Sequence, residues 1–161
     1  MLSALDKLVA VLLVAGLLFA AVLLGREAEK IVGPVRVIDG DTVEMSGRRI
    51  RLRGIDAPEL AQSCERSGIR YGCGEVSRVV LVRLIGDKTI ECTTSGRDQY
   101  GRDLARCSAN GSDLGATMVE RGLALSVRGY TAEEQAARAR GLGLWAGTFQ
   151  RPADWRAEHR H

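Results

Sequence analysis

The turn-borne carboxylates Asp39, Asp41, Asp56 and Glu59 lie within about twenty residues, with the arginines Arg48, Arg49, Arg51 and Arg53 among them. Carboxylates at a rigid turn offer hard oxygen ligands to a divalent cation. Guanidinium groups grip a phosphate through a two-pronged fork and oppose negative charge that builds on it. Acids for a metal beside arginines for a phosphate imply metal-assisted cleavage of a phosphodiester. Each piece alone also has a plain structural reading. Asp39-Gly40-Asp41 between apolar runs is a hairpin signal that needs no metal. Asp56-Ala57-Pro58-Glu59 reads as a turn or helix entry, and Asp98-Gln99-Tyr100-Gly101-Arg102 as a turn between strands. Their joint occurrence in this order carries the chemical reading.

These residues need short strands to hold them. Residues 35–38 and 42–45 are β-prone runs on either side of Asp-Gly-Asp, and 49–55 reads as a third strand. There Ile50 and Leu52 alternate with Arg49, Arg51 and Arg53, so aliphatic groups take one face and arginines the other. Residues 60–73 read as a loop. Apolar residues at 76, 79, 80 and 84 predict a helix over Glu75–Ile85. Strands are expected over 88–93, 104–108 and 123–127. Ser112 or Asp113 caps a second helix that stops at Gly122, and Thr131 with Glu134 forms a capping box for a third that ends at Gly141. These elements imply a small mixed α+β domain, in which five of the six β runs can close a partly open barrel of the oligonucleotide-binding (OB-fold) type beside three helices.

Residues 8–24 contain no charge and are apolar throughout, at the short end of what spans a bilayer. Residues 1–30 are therefore expected to be a separate hydrophobic helix, an uncleaved membrane anchor, with a cleaved signal peptide as the open alternative. Residues 31–149 form the expected folded domain and 150–161 a polar tail. The net charge is +3, and removal of residues 1–30 takes away Lys7, Arg26 and Lys30 against Asp6, Glu27 and Glu29, so the domain also stands at +3. That bias permits an anionic partner without demanding one. Aromatic residues make up only 4% of the chain, so the core must come from Val, Leu and Ile.

Cys64, Cys73, Cys92 and Cys107 are even in number and follow a membrane signal, which points to disulfides and an oxidising compartment. No CxxC pair occurs and both histidines lie at the C-terminus, so zinc is poorly supported. Pairing of sequence neighbours, Cys64 with Cys73 and Cys92 with Cys107, is the simplest of the three connectivities open to four cysteines. Four buried free thiols in a cytosolic domain are the other reading.

The chain resembles the staphylococcal nuclease (thermonuclease-like) family. The matching stretches are Val37–Thr42, Arg51–Glu59, Asp98–Arg102, Glu120–Ala124 and Gly143–Trp145, in the family's order. The resemblance implies an OB-type barrel that cleaves DNA and RNA with calcium. It further implies that Asp41 and Asp56 bind the metal together with the backbone carbonyl of Ala57, with Asp39 as an acid close by. Glu59 would orient or deprotonate the attacking water, and Arg51 and Arg102 would bind the scissile phosphate. Tyr100 and Tyr130 are the expected nucleotide contacts. The family often has two tyrosines after the Gly-Leu-Ala stretch; here Tyr130 stands alone, with Arg128 near the other position, and Gln99 replaces a lysine. The expectation is a calcium-dependent nuclease with little sequence preference, a monomer with no obligate protein partner. It would sit at the outer or periplasmic face of a bacterial cytoplasmic membrane, or be secreted if the signal is cut. The rival is a barrel that has lost catalysis and serves as a tethered nucleic-acid- or protein-binding module. Such a module commonly loses an acid or arginine, whereas Asp41, Asp56, Glu59, Arg51 and Arg102 are all present.

Overall fold

Alternation of period two builds the strand on which the arginines stand. In β4 (Arg48–Leu52) the side chains of Ile50 and Leu52 are buried, while Arg49 is exposed and Arg51 half-buried on the opposite face. The computed structural model describes Val9, residues 12–16 and residues 28–159. Before β4 come β1 (Lys30–Gly33), β2 (Arg36–Val37) and β3 (Thr42–Met45). After it come β5 (Ile55–Asp56), β6 (Cys64–Arg66), β7 (Ile69–Tyr71) and helix α1 (Cys73–Ile85). The chain continues through β8 (Ile90–Arg97), β9 (Asp103–Ala109), β10 (Ser112–Asp113), α2 (Leu114–Glu120), β11 (Leu125–Ser126) and α3 (Thr131–Ala139). A 3₁₀ turn (Gly143–Ala146) and α4 (Pro152–Glu158) follow.

The main sheet runs β1-β8-β9-β4-β3-β2, with β10 added on β9. Its pairs are antiparallel except β4 with β9. β5 pairs with β11, setting Asp56 opposite Leu125, and β6 pairs with β7. The core lies between the sheet and helices α1 and α2, built on Val43, Ile50, Leu52, Leu81, Ile90, Met118 and Val119. Aliphatic and sulfur side chains fill most of it, as the low aromatic content requires, with Tyr130 buried among them.

The α+β class matches the reading of the sequence; the strand and helix inventory is richer. Residues 60–73, expected to be a loop, contain the β6–β7 hairpin, which turns on Ser67 and Gly68 with positive φ. Residues 150–161, expected to be a polar tail, contain α4, a fourth α-helix among the described residues that start at 28. The expected capping box at Thr131 does not form. Tyr130 is the N-cap of α3, and the Glu134 carboxylate accepts instead from the Ser126 amide at 3.2 Å, tying the helix to β11. Asp113 does cap α2, accepting from the Ala116 amide at 3.0 Å.

Both sequence-near disulfides are present, Cys64–Cys73 and Cys92–Cys107, and no described cysteine is free. The β8–β9 register sets Cys92 directly opposite Cys107, and Cys64–Cys73 staples the β6–β7 hairpin to the start of α1. Among the described residues no helix is long and apolar enough to cross a membrane. Most of the run at 8–24, where the anchor is expected, lies outside the described residues.

Candidate active site

The Asp-Gly-Asp turn is drawn tight before β3. The Asp41 amide donates to Asp39 Oδ1 at 3.0 Å, and the Leu52 amide to the Asp41 carbonyl at 2.8 Å. A Cβ on Gly40 would lie 2.7 Å from the Ala57 Cβ and 2.8 Å from that of Ser77. Glycine thus lets the turn press against both Ala57 and α1. The Ala57 amide donates to Asp41 Oδ2 at 3.0 Å, so the two acidic segments are stitched together through backbone as well as side chains.

Arg51 bridges the two buried acids. Its Nη1 lies 2.7 Å from Asp41 Oδ1 and its Nη2 2.7 Å from Asp56 Oδ1. Asp41 is 3% exposed and Asp56 6%. The register explains the geometry: Thr42 of β3 lies opposite Arg51 of β4, and Asp56 follows on β5. Burial pushes the Asp41 carboxyl up to about 7 despite the opposing pull of Arg51; Asp39 and Asp56 add to the rise. Asp41 is therefore a buried acid whose negative charge is incompletely compensated, and added positive charge would stabilise it.

Glu59 stands on the loop after β5. Its backbone is clamped from two sides: its amide donates to Gln62 Oε1 at 3.2 Å, and a Cβ on Gly74 would collide with its carbonyl oxygen. Its carboxylate accepts from Arg156 Nη1 at 2.7 Å. The same guanidinium forks onto Asp56, with Nη1 3.0 Å from Oδ1 and Nη2 3.2 Å from Oδ2.

Arg102 is presented by a turn organised around Asp98. The Asp98 carboxylate accepts from the Tyr100 amide at 2.9 Å, from the Arg102 amide at 3.0 Å and from Arg102 Nε at 2.7 Å. Burial raises this acid, but the Arg102 bond and the two amides outweigh it and hold it below its ordinary range. The Arg102 guanidinium also lies 5.5 Å from the centre of the exposed Tyr100 ring.

A cleft of about 720 Å³ gathers Asp39, Arg51, Glu59, Tyr100, Arg102 and Arg156 on its walls. Asp41 and Asp56 lie behind Arg51, joined to it by the bonds above. Tyr130, expected to touch the nucleotide, does not face this cleft. It is 4% exposed within the core, its hydroxyl donates to Asp113 at 2.9 Å, and burial and that acid push its phenol up to about 12. Close packing against Gly54 and Gly115 and the bond to Asp113 satisfy both ring and hydroxyl inside the core.

Sequence reasoning missed Arg156. The signal was present: Pro152 with Asp154 two residues on marks a helix start, with proline in the first turn and an acid near the positive end of the macrodipole. Among the described residues, no group of three or more His, Cys, Asp or Glu forms a ready metal cage. Asp41 and Asp56 nevertheless supply hard carboxylate oxygens held on one guanidinium, a donor set of the chemistry that a hard cation takes.

Residues 49–147 match the family model described as "Staphylococcal nuclease homologue". A succinoglycan biosynthesis protein, ExoI, of Rhizobium meliloti (strain 1021) is 37% identical over 141 residues, which span 81% of this chain and 74% of that protein. An uncharacterized endonuclease of Escherichia coli O157:H7 is 35% identical over 137 residues, 78% of this chain and 83% of that protein. A probable staphylococcal-like nuclease, CAN2, of Oryza sativa subsp. japonica is 36% identical over 120 residues, 70% of this chain but 30% of that protein.

Proposed function

The chain belongs to the staphylococcal nuclease family, and from that premise we propose that it is a calcium-dependent endonuclease that hydrolyses DNA and RNA with little sequence preference. The observation that carries this reading is the Arg51 bridge between Asp41 and Asp56, with Glu59 and Arg102 on the same cleft. Asp41, Asp56 and the Ala57 carbonyl would hold the cation, and Asp39 supports the turn that delivers Asp41. When bound, calcium supplies positive charge to a phosphate oxygen and lowers the cost of forming hydroxide from water.

The remaining work falls to side chains. Glu59 takes a proton from the attacking water as its oxygen bonds to phosphorus. The bond from phosphorus to the leaving ester oxygen breaks, and that oxygen departs with a proton from solvent. The phosphate gains negative charge on the way, and the guanidinium groups of Arg51 and Arg102 oppose that charge where it develops. Tyr100, exposed beside Arg102, offers a ring for a neighbouring base.

We place the working protein as a monomer outside the cytoplasmic membrane of a bacterial cell. The two disulfides support an oxidising compartment, and residues 8–24 would anchor it there or be cut on export. The test is incubation of the full-length protein with single-stranded DNA and RNA, with calcium or with a chelator. Hydrolysis of both substrates with calcium, abolished by chelation, is expected. Undiminished cleavage in chelator would overturn the calcium role, and binding without cleavage would leave a nucleic-acid-binding module.

A further inference from the structure

The carboxylate expected to accept the water's proton stands on a loop, and the fold fixes the backbone of that loop more firmly than the side chain. Gln62 and Gly74 pin the backbone of Glu59. Its carboxylate rests on a partner from 97 residues away, Arg156 of α4. That helix is not a loose tail. Pro152 is buried in its first turn, and the fully buried Gln62 donates from Nε2 to the Gln150 carbonyl at 2.7 Å. Just before it, the Thr148 and Glu65 backbones exchange two bonds of 2.9 Å, which joins the segment to the hairpin stapled by Cys64–Cys73. Gln62 therefore holds both ends of one device: its side-chain oxygen takes the Glu59 amide, and its nitrogen holds the segment leading into α4.

We propose that Arg156 is a positioning residue for the hydrolytic reaction: it fixes the Glu59 carboxylate beside Asp56 so that the base faces the attacked phosphorus. One nitrogen, Nη1, spans both carboxylates, at 2.7 Å from Glu59 and 3.0 Å from Asp56, while Nη2 completes a fork on Asp56. A fork of this kind sets orientation as well as distance. Arg156 lies beyond residues 49–147, the span that the family model matches. The proposal rests on the nuclease reading, in which Glu59 is the base.

The test compares wild type with Arg156→Gln, Arg156→Lys, Glu59→Gln and the double variant Glu59→Gln/Arg156→Gln, all full-length. Steady-state hydrolysis of single-stranded DNA with calcium is measured, with melting temperatures as the control for folding. Arg156→Gln should lower kcat about tenfold or more and leave KM nearly unchanged, because misplacement of a reacting group costs rate rather than binding. Arg156→Lys should recover part of that loss, since an ammonium keeps the charge but not the fork. The double variant should be no slower than Glu59→Gln alone, because a residue acting through Glu59 has nothing left to act on. A raised KM with unchanged kcat would make Arg156 a phosphate contact, and a raised kcat would make it a restraint; either overturns the proposal. Losses that simply multiply in the double variant, measured below the melting temperature of the least stable protein and per folded molecule, also overturn it. If wild type fails to hydrolyse DNA, the nuclease reading falls and this proposal with it. If wild type is active and Arg156→Gln matches it, only the proposal falls.

Discussion

Arg51 and Asp41 form a 2.7 Å ion pair in which the acid is almost wholly buried and the guanidinium largely so. The second arm of the same guanidinium holds Asp56, so two buried acids share one guanidinium, and Asp56 also receives Arg156. Removing it as Arg51→Ala leaves both without this partner, a change that typically costs about 3 kcal/mol or more. Urea unfolding without calcium should show that loss. Calcium should return part of it, because a cation bound only by the folded state stabilises that state. Equal losses with and without calcium would show that no cation takes over the compensation of Asp41 and Asp56.

Glu59→Gln keeps the size of the side chain and its hydrogen bond from Arg156 but removes the base. Turnover should fall by at least about 100-fold, the usual contribution of a positioned proton acceptor. The melting temperature should barely move, since the side chain is partly exposed and its backbone clamps remain. Near-normal turnover would take the base role away from Glu59.

Arg102 is held by Asp98 through its Nε, which leaves the outer nitrogens free to address a phosphate. Lysine cannot reproduce both the Asp98 contact and a fork on the substrate. Arg102→Lys should therefore depress turnover severely, by about 100-fold. Asp98→Ala should do so less, since Arg102 keeps its charge but loses its aim. Unchanged turnover in Arg102→Lys would remove it from phosphate binding.

How much of this was legible in the sequence depends on what fixes each residue. Arg51 was readable because strand alternation with Ile50 and Leu52 dictates its face, and Asp41 and Asp56 because turns and short strands are local features. The opposition of Cys92 and Cys107 followed from one hairpin. Tyr130 was misplaced because its direction is set by Asp113, seventeen positions away, which no local period reveals. Arg156 was missed for a similar reason: Pro152 and Asp154 announce the start of α4, but what brings Arg156 to Glu59 is the docking of this segment on the distant Gln62 and Glu65, which no local pattern reveals. The β6–β7 hairpin is polar and glycine-containing, so it lacked an apolar alternation to announce it; the Cys64–Cys73 staple supplies what side-chain burial does not.

Away from the cleft, Asp103 receives Arg48 Nε at 2.8 Å and Arg97 Nε at 3.0 Å while itself buried. The Arg48 bond, helped by Arg97 and opposed by burial, holds its carboxyl below the ordinary value of 3.8. An acid depressed in the folded state binds its proton more weakly there than in the unfolded chain. Its contribution is thus complete above the unfolded value and is lost as the pH falls through the folded one. Asp103→Asn should destabilise by about 1.5–3 kcal/mol at about pH 7, the range of a charged hydrogen bond, and the gap should close toward about pH 2. Urea midpoints across that range decide the matter, and a gap that stays constant would assign the loss to packing instead of charge.

Cys92–Cys107 joins residues 15 apart across the central hairpin, with both sulfurs in the core. Closing a loop of that size removes unfolded-state entropy worth about 3 kcal/mol in the chain-entropy account. Replacing both cysteines with alanine should lower stability by roughly that amount, and reduction of wild type should lower its melting temperature at least as far, because Cys64–Cys73 opens too. The second loss should differ in kind. Cys64 lies on β6, whose neighbour Glu65 holds Thr148 at the approach to α4, so opening Cys64–Cys73 loosens the support of Arg156. A Cys64→Ala/Cys73→Ala protein should therefore lose turnover while still folded, whereas the Cys92/Cys107 variant should keep it. Four thiols titrating in the unreduced native protein, with no change in melting on reduction, would show that neither bond forms and would remove the support for an oxidising compartment.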